Sequence, residues 1–265
     1  MTIPTWLRSE RAATETIGFV FAFALVTASV GVVYTTGIGG LEDARDHEQL
    51  KNAGRAFDVL ADNVEDVRRE GAPSRATELK LSDSSVRFGD PVRIEVQVNN
   101  TDTDANATYG MSARPLVYEG SAGRVVYSAG ATFRIDDGYA TMQTDPGYVV
   151  GDRRSHVPLL ITYPRESGSA IRGSSTILIV AYRQSLGLDG RFETGTDASD
   201  PNARVNVTVE SPRAAAWGRY FESLGMSPPP SDPSVADPDD GVVTYQFFTD
   251  RLTVSETAVE FDLQQ

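Results

Sequence analysis

Apolar positions fall along this chain in three rhythms, and each predicts a different element. Near the start they are continuous: Ile17 to Tyr34 reads IGFVFAFALVTASVGVVY, and no charge interrupts Thr16 to Leu41. At 1.5 Å per residue, about 20 such residues in a helix cross a hydrocarbon layer ~30 Å thick. Ile17, Gly18, Phe19, Phe21, Phe23, Leu25, Val30 and Val33 would face lipid there. The spacing then changes to alternating three and four. Leu50, Ala53, Phe57, Leu60, Val64 and Val67 form one stripe, with Asp58, Asp62, Glu65, Asp66 and Arg69 opposite, which predicts an amphipathic stalk helix over 41–72. Gly37, Gly39 and Gly40 lie between the two segments. Each costs a helix about 1 kcal/mol, so they predict a hinge just outside the bilayer. Gly71-Ala72-Pro73 ends the second helix.

From Thr77 onward the rhythm is two. Ala76–Ser82 and Val92–Val98 alternate as half-buried strands do. Further runs are Arg124–Tyr127, Ala131–Ile135, Tyr139–Gln143, His156–Tyr163, Ser175–Arg183, Arg204–Glu210, Val242–Phe248 and Leu252–Leu263. Turns are expected at Asn99–Asn106, Asp136-Asp137-Gly138, Asp145-Pro146-Gly147 and Leu188-Asp189-Gly190. A mainly β fold results, an antiparallel β-sandwich over 73–265 behind the N-terminal helix. One short helix is inserted at 212–225: Ser211-Pro212 suits a cap and first turn, Trp217, Tyr220 and Phe221 form an aromatic stripe that packs as a lid on the sheet, and Gly225 ends it. Residues 227–241 (SPPPSDPSVADPDDG, from Ser227) form a Pro/Asp-rich loop.

The stripe of Leu50, Phe57, Leu60, Val64 and Val67 needs a partner. Two are open: the chain's own sheet, or neighbouring subunits of an assembly. Fewer than three heptads is short for a free-standing coiled coil.

Charge narrows the function classes. Acidic residues number 37 against 24 basic, a net −13, and Lys51 and Lys80 are the only lysines. Nucleic-acid binding is not expected, because phosphate contacts require a basic patch. An acidic, lysine-poor surface suits concentrated salt, where like charges are screened within ~3 Å at 1 M; a GC-rich coding sequence gives the same arginine bias. With no cysteine, disulfides and thiolate metal sites are excluded.

Candidate chemistry is sparse. His47 and His156 are the only histidines and have no metal-ligand spacing between them. No G-x-S-x-G elbow, P-loop or dinucleotide fingerprint occurs, and no cofactor is expected. Asp102-x-Asp104-x-Asn106 copies the first half of a calcium loop, but Ala107 and Ala113 stand where Gly and Glu are required. Asn99, Asn106 and Asn206 each open an N-x-Thr sequon, an N-glycosylation acceptor if the domain is extracellular.

Arg8 and Arg11 precede the apolar run, and Glu42, Asp43 and Asp46 follow it. The positive-inside rule therefore places the N-terminus in the cytoplasm and everything after Leu41 outside a single-pass cell membrane. An ordinary signal peptide would be cut near Val26-Thr27-Ala28. Arg11-Ala12-Ala13-Thr14-Glu15-Thr16-Ile17-Gly18, with a basic residue and Ala directly before the apolar helix, instead resembles the class III signal of archaeal type IV pilins and archaellins. The layout is similar to that of haloarchaeal pilin-like membrane proteins. The resemblance covers about Arg11 to Gly40. It implies a prepilin peptidase as partner, a cut between Ala12 and Ala13 that removes a 1–12 leader, and a membrane helix over 13–40 retained on the mature protein. Thr14-Glu15 departs from the Ser-Pro many such pilins carry there.

The expectation is a membrane-anchored, non-enzymatic surface protein in contact with lipid. It is either a pilin-like subunit packing on like subunits through its N-terminal helix or a monomeric anchored binding module. An extracellular hydrolase is the third reading and has no catalytic constellation behind it.

Overall fold

The computed structural model describes residues 6–100, 105–166, 168, 170–193, 203–230 and 240–265, the side chains of 6–15 and 189 excepted. Two compact units divide the chain, the first ending at Glu48 and the second running from Gln49 to Gln265.

The first helix, α1 (Trp6–Arg69), is continuous. The hinge expected at the three glycines is absent, because Gly37, Gly39 and Gly40 are all helical. A Cβ at any of them would meet nothing within 4 Å, so no packing contact explains them. Their intrinsic cost is opposed by cooperativity: each helical residue flanked by long helical arms adds a hydrogen bond without new nucleation. A helix in hydrocarbon also cannot leave its backbone polar groups unpaired. The separate transmembrane and stalk helices of the expectation are thus one element.

Among the described residues fourteen strands follow: β1 (Ser74–Lys80), β2 (Ser84–Phe88), β3 (Val92–Asn100), β4 (Asn106–Ala113), β5 (Leu116–Gly120), β6 (Gly123–Ser128), β7 (Ala131–Asp136), β8 (Tyr139–Thr144), β9 (Ser155–Pro164), β10 (Ala170–Gly173), β11 (Thr176–Glu193), β12 (Ala203–Glu210), β13 (Val242–Thr249) and β14 (Arg251–Gln264). A second helix, α2 (Ala214–Ser223), sits between β12 and β13. They form three sheets, ordered β1-β11-β14-β9, β10-β2-β5-β6-β7-β8 and β13-β12-β3-β4.

The six-stranded sheet is buried on both faces at its central strands β5 and β6, which sets the plan of the second unit. Leu116, Tyr118, Val125 and Tyr127 point into one core with Leu50, Phe57, Leu60, Val64 and Val67 of α1 and with Leu79, Ile177, Ile179 and Phe261. Val117, Val126, Phe133 and Ile135 point the other way, into a core shared with the four-stranded sheet of β3 and β12 and with Trp217 and Phe221 of α2. Strands β9 and β14 serve both cores: Val157 and Val254 enter one, Leu160 and Phe261 the other.

Most strand pairs are antiparallel, but β14 runs parallel to β9, with Leu252 opposite Ser155 and Phe261 opposite Pro164. The expected turn at Leu188-Asp189-Gly190 is instead part of β11, which stays paired to β14 through register shifts at Arg183/Ser185 and Leu188/Gly190. A bulge absorbs the extra residue that reads as a turn signal. Helix α2 begins two residues later than the Ser-Pro signal implies. Ser211 Oγ accepts from the Arg213 N–H at 3.1 Å and the Ser211 carbonyl from the Ala214 N–H at 3.0 Å, so Ser211 closes a turn before the helix. Gly225, with φ +78°, follows it in the left-handed conformation that ends helices.

Candidate functional site

The first unit presents apolar surface with nothing over it. Phe19, Phe21 and Leu25 are 70–71% exposed, and Ile17, Phe23, Val30 and Val33 are also exposed. Phe19 stacks on Phe23 one turn later, with centroids 6.4 Å apart. Three hydroxyl side chains in the same stretch bond back to the helix. Ser29 Oγ donates to the Leu25 carbonyl at 2.7 Å, Thr35 Oγ1 to Gly31 at 3.0 Å and Thr36 Oγ1 to Val32 at 2.8 Å. Back-bonding of this kind lets a hydroxyl lie in an apolar medium without water. The helix is long and apolar enough to cross a membrane. Arg11, Ala12 and Ala13 lie in its helical N-terminal part, with side chains outside the described residues.

The stalk stripe has the opposite fate. Phe57, Leu60 and Val67 are fully buried, and Leu50 and Val64 nearly so, against the chain's own sheets. Polar contacts fix the register. Asn63 Nδ2 donates to Thr77 Oγ1 at 2.9 Å, Arg75 Nε approaches Asp66 at 3.1 Å, and Arg183 Nη1 donates to the Gly71 carbonyl. Arg68 grips Glu65 with both Nε and Nη2, at 2.7 and 2.6 Å, and Arg69 pairs with the same carboxylate.

Beside this cluster lies a groove of about 230 Å³ lined by Asp62, Glu65, Arg68, Tyr127, Asp145 and Gly147. Glu65 is paired there with Arg68 and Arg69, and burial pushes the Tyr127 phenol far up, so that phenol stays protonated. Nearby, His156 Nε2 lies 2.8 Å from Ser255 Oγ across the parallel β9–β14 pair. Burial first, then Arg68 and Arg69, holds the His156 imidazole below its ordinary value. This contact was invisible in sequence, because only the parallel register brings residues 99 apart together. Among the described residues no carboxylate is hydrogen-bonded to the ring's other nitrogen, so the pair lacks the orienting third group of a nucleophilic triad.

The sequons converge. Asn99 is directly opposite Asn106, and Asn206 opposite Gln97, so all three asparagines occupy one face of the β13-β12-β3-β4 sheet. Asn106 is exposed, whereas Asn206 Oδ1 is buried without a hydrogen-bond partner on a strand flanked on both sides. Asp102 and Asp104 of the calcium-like run lie outside the described residues. No group of three or more metal-ligating side chains occurs among the described residues.

A family model matches residues 11–262. The chain belongs to DUF7289, a family of unknown function. The DUF7289 match takes in both the exposed apolar helix and the sheets. No curated protein and no solved structure matches this chain.

Proposed function

We propose that this DUF7289 protein is a membrane-anchored extracellular surface protein of pilin-like plan, a structural component rather than an enzyme. One observation carries the reading: a single helix is bare and apolar from Ile17 to Leu41, yet buried in its own β domain's core from Leu50 to Val67. Such a helix tethers a folded head to an apolar medium. The apolar medium is lipid, or a bundle of like helices in a filament. Arg8 and Arg11 before the span and Glu42, Asp43 and Asp46 after it support a cytoplasmic N-terminus and an outward domain.

Mass spectrometry of the mature N-terminus tests the processing. A chain beginning at Ala13 supports prepilin-peptidase cleavage, one beginning near Ser29 means ordinary secretion and loss of the anchor, and Met1 or Thr2 means an uncut anchor. Sheared cell-surface filaments containing the chain would establish assembly. Full-length, uncut chain dissolved in cytosol without detergent would overturn the whole reading.

The stripe's burial favours a second reading, a solitary anchored binding module. With Phe57, Leu60 and Val67 consumed by the chain's own core, contacts with other subunits fall to the apolar part of α1. A detergent-solubilised monomer and no filament would select this reading.

A further inference from the structure

The first turn of α2 holds a cluster of buried donors with nothing to receive them. Arg213, the N-cap, is only 8% exposed, and among the described residues its Nε and Nη2 have no hydrogen-bond partner. Trp217, one turn later, is fully buried, and its Nε1 is also unpaired. Both side chains lie against one ring: Arg213 Cζ is 5.5 Å from the Phe133 centroid, and the Trp217 ring is 5.9 Å from it. Unpaired buried donors forfeit hydration without return, so native proteins give nearly all of them an acceptor.

The surroundings add positive character, and the hydroxyl of Tyr148, whose ring packs on Trp217, is also buried and unpaired. No side chain caps α2, and although the Ala214 and Ala216 N–H groups are taken by the Ser211 and Arg213 carbonyls, the positive end of the helix dipole lies here. Burial, with the nearby Arg124 cation, lowers the Arg213 guanidinium to about 10, so it remains charged at neutral pH.

We infer that Arg213, Trp217 and the N-terminus of α2 form an internal binding site for a small monovalent anion, a halide such as chloride or bromide. The occupant must be small, because a guanidinium this buried admits no side chain from a partner molecule. It must be an acceptor, because the unpaired Arg213 and Trp217 atoms beside Phe133 can only donate. A water there would satisfy the donors but leave its own two protons to find acceptors. A halide has no protons to place, and its charge neutralises Arg213. It would act as a structural ion, fastening α2 to β7.

The test compares the melting temperature of the full chain in detergent micelles in sodium chloride and in sodium gluconate at equal ionic strength. Chloride is expected to raise Tm by about 5 °C, with a saturable concentration dependence. The difference should vanish in Arg213→Met and shrink in Trp217→Phe. Crystals soaked in bromide should show an anomalous peak beside the Arg213 guanidinium. Equal melting temperatures in the two salts, a chloride effect that persists in both variants, or crystals with no bromide at Arg213 would each overturn the inference.

Discussion

Asn63 on α1 donates from Nδ2 to Thr77 Oγ1 on β1 at 2.9 Å, and also reaches the Ala76 carbonyl at 3.2 Å. Thr77 is only 3% exposed, so this bond closes over the edge of the core in which the stripe is buried. Replacing Asn63 with Leu keeps similar bulk but strands the buried hydroxyl, which should cost about 1–3 kcal/mol. Phe57→Ala, at a fully buried position of the same helix, should cost about 3–5 kcal/mol. Urea unfolding of the detergent-solubilised chain, followed by tryptophan fluorescence, measures both. If the stripe served only contacts between subunits, Phe57→Ala would leave the isolated chain's midpoint unchanged.

Gly123 opens β6 with φ +148°, and a Cβ there would stand 2.5 Å from the Ile135 carbonyl oxygen and 3.0 Å from Leu50 Cδ2. The first obstacle is paired backbone of β7, which cannot rotate away as a side chain can. Gly123→Ala should therefore destabilise by about 1–3 kcal/mol, from strain and overpacking together. Gly138→Ala, with φ +84° but no atom within 4 Å of its Cβ, isolates the conformational part of that cost. The prediction is that Gly123→Ala lowers the urea midpoint more than Gly138→Ala does.

How much of this was legible depended on whether a strand is wet on one side. β1, β3 and β12 alternate because one face meets solvent, and their period shows in the residues. β5 does not alternate: Leu116, Val117 and Tyr118 are all buried because its sheet lies between two cores. A short apolar run of this kind has no period of its own to read. β2, β4 and β10 were missed for another reason. They are short or polar and are held by pairing, such as Ala170 to Arg87 and Asn99 to Asn106. The stalk stripe was plain in sequence, but the choice between its own sheet and a neighbour's was not, since burial is a fact of tertiary packing. The buried donors around Phe133 were wholly hidden. Arg213 reads as a helix-start residue, and nothing local says that it has no counter-ion.

His156 supplies a pH signature. Its folded-state value lies below the ordinary 6.5, chiefly because burial disfavours the imidazolium, with Arg68 and Arg69 adding repulsion and Glu65 opposing them. The unfolded chain therefore binds a proton at this residue more readily than the folded one. Stability rises with pH wherever the unfolded state holds more protons. The neutral ring's contribution is fully present above about 6.5 and is lost as pH falls below it toward the folded value. His156→Gln keeps a hydrogen-bonding partner for Ser255 but cannot titrate. The difference in melting temperature between wild type and His156→Gln should accordingly change between pH 7 and pH 5, with wild type losing ground on acidification. A difference independent of pH across that window would contradict the assignment.

The apolar part of α1 can be altered without touching the β domain, which makes the anchor separately testable. Leu25 and Val30 lie near the middle of the uncharged stretch, are 71% and 62% exposed, and belong to neither core. Changing both to Asp places two carboxylates near the centre of the span, at a cost of about 2.5–3.5 kcal/mol each on insertion scales. No buried contact of the sheets is lost, so far-ultraviolet circular dichroism should retain the β signal and the domain's urea midpoint should stay within error. Membrane retention should fall steeply. In lysed cells, the doubly substituted chain should shift from the high-speed pellet to the supernatant, while wild type stays in the pellet until detergent is added. An equal distribution of the two chains would mean that the apolar helix is not what holds the protein to the membrane. Loss of the β signal along with retention would mean that Leu25 or Val30 supports the fold, against the exposure seen here.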